Sequence, residues 1–175
     1  DGALAPWRKG KSPYFLQTIE AIAKHYGFNK NARWKDLDPF VQQVFLYGSG
    51  DEEILDSFLR PALRGELVGT ICFTEPGAGS DAASLTTRAE KVDGGYRLTG
   101  EKIWVTNGYF AEFFVVMART DPEKGAKGIS AFIVDASWPG VRVEHRCRFM
   151  GLKALANAVI SFRDVKVPRE NLIGA

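Results

Sequence analysis

The chain has 175 residues, 45% of them hydrophobic, enough for one packed domain or a small domain with an appendage, and its 23 basic against 21 acidic residues give no electrostatic ground for a nucleic-acid partner. Cys72 and Cys147 lack CxxC spacing and the two histidines lie outside ligand intervals, which excludes a metal site or disulfide framework and predicts two buried free thiols. No apolar run reaches the about 18 residues of a membrane span and no export signal opens the chain, so a cytoplasmic location is expected, for a start without methionine that reads as a processed or excerpted product.

Residues 1–11 carry Gly2, Pro6 and Gly10 and read as loop, with Trp7 as an anchor. Ser12-Pro13 supplies a cap and a first-turn proline, and Phe15, Ile19, Ile22 and Tyr26 then recur at helical spacing up to a stop at Gly27. Lys24 and His25 fall in the last turn, where positive charge suits the helix dipole, and no nucleophile or carboxylate pattern joins His25 to make it a catalytic base. A second helix is predicted from Asp38-Pro39, with Phe40, Val41, Val44, Phe45 and Tyr47 on its apolar side and a stop at Gly48-Ser49-Gly50. A third, Glu52 to Leu59, is capped by Asp51 and ended by Pro61.

The blocks DGALAPW, SPYFLQTIEAIAKHYGF, WKDL and VQQVFLYGSGDEEI resemble an interior slice of UvrA, the damage-recognising ATPase of bacterial nucleotide excision repair, over about residues 1–54, with the junction around Glu53 to Phe58. Neither a GxxxxGK[ST] phosphate loop nor a paired-cysteine zinc module occurs in the sequence, so the resemblance implies a helical fragment with no ATPase or DNA-binding residues to carry over.

From Leu55 onward, alternating apolar and polar runs replace the helical spacing: Leu67 to Thr74, Thr86 to Val92, Tyr96 to Leu98, Lys102 to Thr106, Phe113 to Thr120, Ile129 to Asp135, Val141 to Arg146 and Val159 to Val167. Turn signals separate them at Asp93-Gly94-Gly95, Asn107-Gly108, Asp121-Pro122, Pro139-Gly140 and Met150-Gly151. About eight short strands with no long helix between them predict an α+β chain: a short helical segment, residues 1–54, before an antiparallel β-barrel or sandwich, residues 55–175.

Two stretches can carry chemistry. In Cys72 to Asp81, reading CFTEPGAGSD, two glycines let backbone approach a ligand and Thr74 and Ser80 add hydroxyls, so the loop could cradle a phosphate or polar heterocycle. The same residues also make a plain corner of a sheet, with Asp81 capping a short turn. In Lys102 to Gly108, reading KIWVTNG, strict alternation places Lys102, Trp104 and Thr106 on one strand face, opposite Ile103 and Val105. An indole and a hydroxyl two residues apart suit a flat aromatic cofactor, and equally a core tryptophan beside an edge threonine.

The order TEPGAGSD, DGGYRLTGEKIWVTNG, GISAFIVD, PGVRVE, MGLKALANA and SFRDVKVPRENLIG closely resembles the middle β-barrel domain of the acyl-CoA dehydrogenase family, over about residues 55–175. That resemblance implies FAD as cofactor, an acyl-CoA thioester as substrate, an electron-transfer acceptor as partner and a homo-oligomer in the full-length family. It implies that Phe73 and Thr74 meet the pyrimidine side of the flavin, that Gly79 and Ser80 lie by its pyrophosphate with Ser80 also near the CoA arm, that Trp104 packs near the isoalloxazine and that Thr106 bonds around its N5 edge. The family's catalytic carboxylate belongs to a C-terminal helical domain, so none of Glu75, Glu101, Glu112 and Glu170 is assigned as the base and no catalytic residue is expected here. Glu75 is expected to be held by its own loop's backbone and Glu170 to lie on the surface. The run Gly151 to Asn157 departs from the Arg-Gly-Ser type common in the family, leaving the substrate subclass open. His145, Arg146 and Arg148 beside it make either a solvated strand end or a phosphate contact.

Overall fold

Asp38 starts a helix as the sequence predicts: its Oδ1 accepts the Phe40 N–H at 2.8 Å, and helix α1 runs Pro39–Tyr47. The computed structural model describes residues 19–20, 22–24, 26–47 and 54–173; the expected Ser12-Pro13 start, His25, the Gly48-Ser49-Gly50 stop and the Asp51 cap lie outside them. The chain divides into two units, Asp1–Gly50 and Asp51–Ala175. In the first, the described residues between 19 and 26 are helical and Gly27, at φ +69°, ends the helix. Val41 and Val44 are buried, and Phe45 meets the rings of Phe28 and Trp34 edge-on. Phe40 is exposed although the apolar pattern included it, and its ring meets that of Tyr26 edge-on.

The third helix differs from expectation. It does not end at Pro61 but passes through it, as a π-helical turn Leu55–Leu59 followed by helix α2, Arg60–Leu63. The Arg60 N–H reaches back to the Leu55 carbonyl, and this wide turn places Pro61 at the start of a fresh helical turn, where its missing N–H breaks no bond. Phe58 packs on Phe113 with ring centroids 5.3 Å apart, which ties this helix to the sheet of its own unit.

Eight strands follow: β1 (Gly69–Cys72), β2 (Arg88–Val92), β3 (Gly95–Val105), β4 (Phe113–Arg119), β5 (Ile129–Asp135), β6 (Val141–Arg146), β7 (Ala158–Pro168) and β8 (Leu172–Ile173). They form one mixed sheet in the order β6-β7-β3-β2-β4-β5-β8, with β1 added on β4. The antiparallel barrel or sandwich is therefore corrected in two respects. β6 and β8 are the unjoined ends of the described sheet, so it does not close, and β1 runs parallel to β4, as does β2 at the single pair Arg88↔Arg119. The connection after β1 carries the glycine loop, and β1 pairs with β4 rather than with β2. Val68 and Glu112 lock that register, the Glu112 N–H donating to the Val68 carbonyl at 2.8 Å and the Val68 N–H to Glu112 Oε2 at 2.9 Å.

Two of the separately predicted runs, Tyr96 to Leu98 and Lys102 to Thr106, fall in the single long strand β3 except for Thr106, which begins the turn after it, and β8 goes unsignalled in the sequence. The core takes alternate residues: Phe114, Val116 and Ala118 from β4, Phe132 and Val134 from β5, Ala158, Ile160 and Phe162 from β7. Burial of each such large side chain contributes about 1.5–3 kcal/mol before entropy is counted. In β7 the inward phase slips from Phe162 to Val165 at a bulge where Asp164 takes φ +51°.

Candidate functional site

The glycine loop is a tight corner with an open outer side. The Glu75 N–H donates to the Ala78 carbonyl at 2.9 Å and the Ala78 N–H to the Glu75 carbonyl at 3.2 Å, which closes Glu75-Pro76-Gly77-Ala78 on itself. Ala78 is buried beneath it, while Pro76, Gly77, Gly79 and Ser80 are exposed. A side chain added at Gly77 or Gly79 would meet no atom within 4 Å, so space lies directly beside this backbone. Asp81 stands at the start of the next turn, Ala82–Ser84, but its carboxylate accepts the Ser84 hydroxyl instead of a backbone N–H of that turn, so the expected side-chain cap is not made.

Beneath the corner lies a buried ion pair. Lys102 is fully buried and its Nζ donates to Glu75 Oε1 at 2.8 Å and to the Phe73 carbonyl at 3.2 Å. The Thr87 N–H reaches Oε1 of the same carboxylate at 2.9 Å, and the Thr86 N–H and hydroxyl reach Oε2 at 2.6 and 2.7 Å. Glu75 is thus held from the segment before β2 and from β3, which corrects the expectation of a hold by its own loop. Burial alone would raise its pKa; hydrogen bonds from Lys102, Thr87 and Thr86 outweigh that and bring it down to about 2. Lys102 moves the other way for a charged partner, its pKa lowered by burial and only partly restored by Glu75, because an ammonium with two acceptors is less well solvated than a carboxylate with four donors. The carboxylate is held in its ionised form, with Lys102 facing it at ion-pair distance. The neighbouring Cys72 thiol is pushed up to about 12 by burial, so it stays protonated and inert.

The second stretch corrects the strand-face reading. Lys102 and Val105 point inward, Trp104 and Thr106 outward, and Ile103 lies between. Lys102 pairs with Ile160 but Val105 with Ala158, so three steps on β3 match two on β7, and Trp104 absorbs the extra residue at φ +56°. The bulge breaks the period of two on which the face assignment rested. Its result is an indole 54% exposed, tilted 32° against the Phe149 ring at a centroid distance of 5.7 Å.

Three bonds join the stretches into one surface. The Ile103 N–H donates to the Thr74 carbonyl at 2.8 Å, Lys102 holds the Phe73 carbonyl, and the Thr70 hydroxyl donates to the Thr106 carbonyl at 2.6 Å. The structure thereby brings Phe73, Thr74, Trp104 and Thr106 to adjoining backbone, with Gly79 and Ser80 at the open rim of the corner. Hydroxyls of Thr74, Ser80 and Thr106 engage no partner among the described residues. Beside Trp104, residues Arg146, Cys147, Arg148, Phe149 and Lys153 line a cleft of about 500 Å³. The Arg146 guanidinium donates to the carbonyls of Lys153 and Leu155, and His145, Arg146 and Arg148 are all exposed, as a solvated strand end requires. Among the described residues no group of His, Cys, Asp and Glu is placed to hold a metal ion. Cys72 and Cys147 are free and buried, as expected.

Sequence reasoning missed the inward Lys102 and the clamp residue Asn157, whose Nδ2 donates to the Trp104 carbonyl at 3.2 Å. A lysine within an alternating apolar run was the available signal for the first; nothing local marks the second.

Residues 70–165 match the family model described as acyl-CoA dehydrogenase, middle domain. The chain belongs to the acyl-CoA dehydrogenase family. Among curated members, the mitochondrial 2-methylacyl-CoA dehydrogenase of Solanum tuberosum is 34% identical over 154 residues, covering 88% of this chain and 35% of that protein. Butyryl-CoA dehydrogenase from Megasphaera elsdenii superposes with a TM-score of 0.70 at 39% identity, over 75% of this chain and 34% of that one. The FAD complex of PigA superposes with a TM-score of 0.69 at 34% identity, over 72% of this chain and 33% of that one. This acyl-CoA dehydrogenase family chain spans about a third of the length of the curated relatives it matches. A second model, the UvrA DNA-binding domain, matches residues 1–64, running past the division between the two units at Gly50 and Asp51. No helix of the described residues is long and apolar enough to cross a membrane.

Proposed function

We propose that the chain is the FAD- and acyl-CoA-binding middle domain of an acyl-CoA dehydrogenase, with weak or no dehydrogenase activity by itself. The observation that carries this reading is the single surface made by the open glycine corner and the bulged strand, bonded together through Ile103 and Thr74 within the stretch that matches the family. Its residues fit the cofactor: an exposed indole for a flat ring, uncommitted hydroxyls at Thr74 and Thr106 for its polar edge, and free space beside Gly79, next to the exposed Ser80, for a phosphate-bearing arm. Phe73 adds a half-exposed apolar wall, its own carbonyl being held by Lys102. Ser80, at the rim, would also meet the CoA arm of the substrate.

Bound FAD would supply the acceptor for the hydride that leaves the β-carbon of an acyl thioester. What these residues do is bind, orient and stabilise. Hydroxyl and backbone donors fixed on the sheet stabilise negative charge on the ring without reorganising. No carboxylate weighed as a base fits the task. Glu75 is locked in its ion pair, Glu112 accepts the Val68 N–H, and Glu101 and Glu170 are exposed. The proton-abstracting group, an electron-transferring partner and self-association belong to this proposal as features of a whole enzyme, as does a cytoplasmic location.

Titrating the purified chain with FAD tests it. Saturable quenching of flavin fluorescence, with no acyl-CoA-dependent dye reduction, is the expected outcome. A folded chain that binds neither FAD nor a CoA ester would make it a noncatalytic binding module, and full turnover would refute the stated inactivity.

A further inference from the structure

Asn157, just before β7, carries an anomaly that the flavin-binding residues do not explain. The residue is buried, its Nδ2 donates to the Trp104 carbonyl, and its Oδ1 has no hydrogen-bond partner among the described residues. A buried acceptor left without a donor is costly, and a smaller hydroxyl side chain would offer a donor without this surplus oxygen. Tolerance of the orphaned atom calls for a gain elsewhere.

The gain lies at the bulge. Trp104 holds a left-handed backbone that a bulky residue adopts only under constraint, and the bulge leaves its carbonyl outside the regular ladder with β7. Asn157 supplies the missing donor. The residue is itself anchored, since its carbonyl accepts the Cys147 N–H at 2.7 Å and the preceding Ala156 carbonyl accepts the Tyr109 N–H at 3.1 Å. The clamp thus joins the end of β6, the start of β7 and the turn after β3 at one point behind the indole. We infer that Asn157 is a positioning residue for Trp104: by holding the carbonyl of the bulge it fixes the outward indole against Phe149. Its consequence for flavin rests on the function proposed above; its control of the indole does not.

The test reads both separately. The near-ultraviolet circular dichroism of Trp104 is isolated as the difference between the chain and its Trp104→Phe variant. Asn157→Ala, and Asn157→Asp, which keeps the volume but replaces the donor with a carboxylate, are expected to lose most of that difference signal while far-ultraviolet dichroism is retained. FAD affinity is expected to fall about tenfold, the loss of roughly one hydrogen bond's worth of preorganisation. An unchanged Trp104 signal in a folded variant overturns the inference. Absence of FAD binding in every chain, including the parent, would instead sink the flavin reading and leave the Trp104 signal to decide Asn157. Should neither variant fold, a scalar coupling between Asn157 Nδ2 and the Trp104 carbonyl carbon in the labelled parent decides: its detection supports the clamp and its absence overturns it.

Discussion

Lys102 and Glu75, 27 residues apart, meet as an ion pair with Nζ and Oε1 at 2.8 Å and both side chains closed off from water. The contact ties the corner of the glycine loop to the strand that carries Trp104, and the same ammonium holds the Phe73 carbonyl. Replacing only Lys102 would leave a buried carboxylate without its counter-charge. Lys102→Met is expected to destabilise the fold by about 3–5 kcal/mol in urea unfolding, and Glu75→Leu added to it should recover part of that loss.

The same carboxylate gives a pH dependence. Its folded pKa of about 2 lies below its ordinary 4.5, so the unfolded chain binds a proton first as pH falls. Its contribution is full above about pH 4.5 and is lost as pH drops through about 2. Unfolding curves at a series of acidic pH values should show this slope, and Glu75→Gln should flatten it.

Gly100 lies against Thr87, and a Cβ built on it would come within 2.3 Å of Thr87 Oγ1 and 2.7 Å of Thr87 Cα. Backbone on the far side cannot yield as a flexible side chain would. Gly100→Ala should therefore cost about 1–3 kcal/mol, measured as a lowered melting temperature.

Arg119 bridges two irregular segments, donating to the carbonyls of Ala83 at 2.6 Å and Leu85 at 3.1 Å, and through its other terminal nitrogen to Gly125 at 3.1 Å. A lysine has one donor group and cannot span all three. Arg119→Lys is expected to cost about 1–2 kcal/mol and to speed amide exchange in residues 82–85 and 122–128.

Thr74 and Ser80 offer hydroxyls that no described residue uses, so their loss should spare the fold. Thr74→Ala is expected to weaken FAD binding about tenfold, at an unchanged melting temperature, in a fluorescence titration. Equal affinity in the variant would remove Thr74 from the proposed cofactor surface.

Much of this chain was legible locally. Asp38 caps its helix, Gly27 ends one, and Ile129–Asp135 and Val141–Arg146 are strands at the predicted limits, because caps, turns and alternation depend on neighbours a few residues away. The faces of Lys102 and Trp104 were not legible, since one inserted residue in a strand inverts every side chain beyond it and no local composition announces the insertion. Pro61 misled in a similar way: it reads as a stop, yet the π turn before it removes the conflict.

The sequence by itself determined that a glycine corner and a Trp-Thr strand end exist, and, through its motifs, the family to which they belong. Only the tertiary structure decided how they act together. It buried Lys102 under the corner, turned Trp104 outward at a bulge held by Asn157, and set β1 parallel to β4. These outcomes depend on contacts between residues tens of positions apart, where desolvation and backbone pairing across the sheet, rather than local propensity, fix the direction of each side chain.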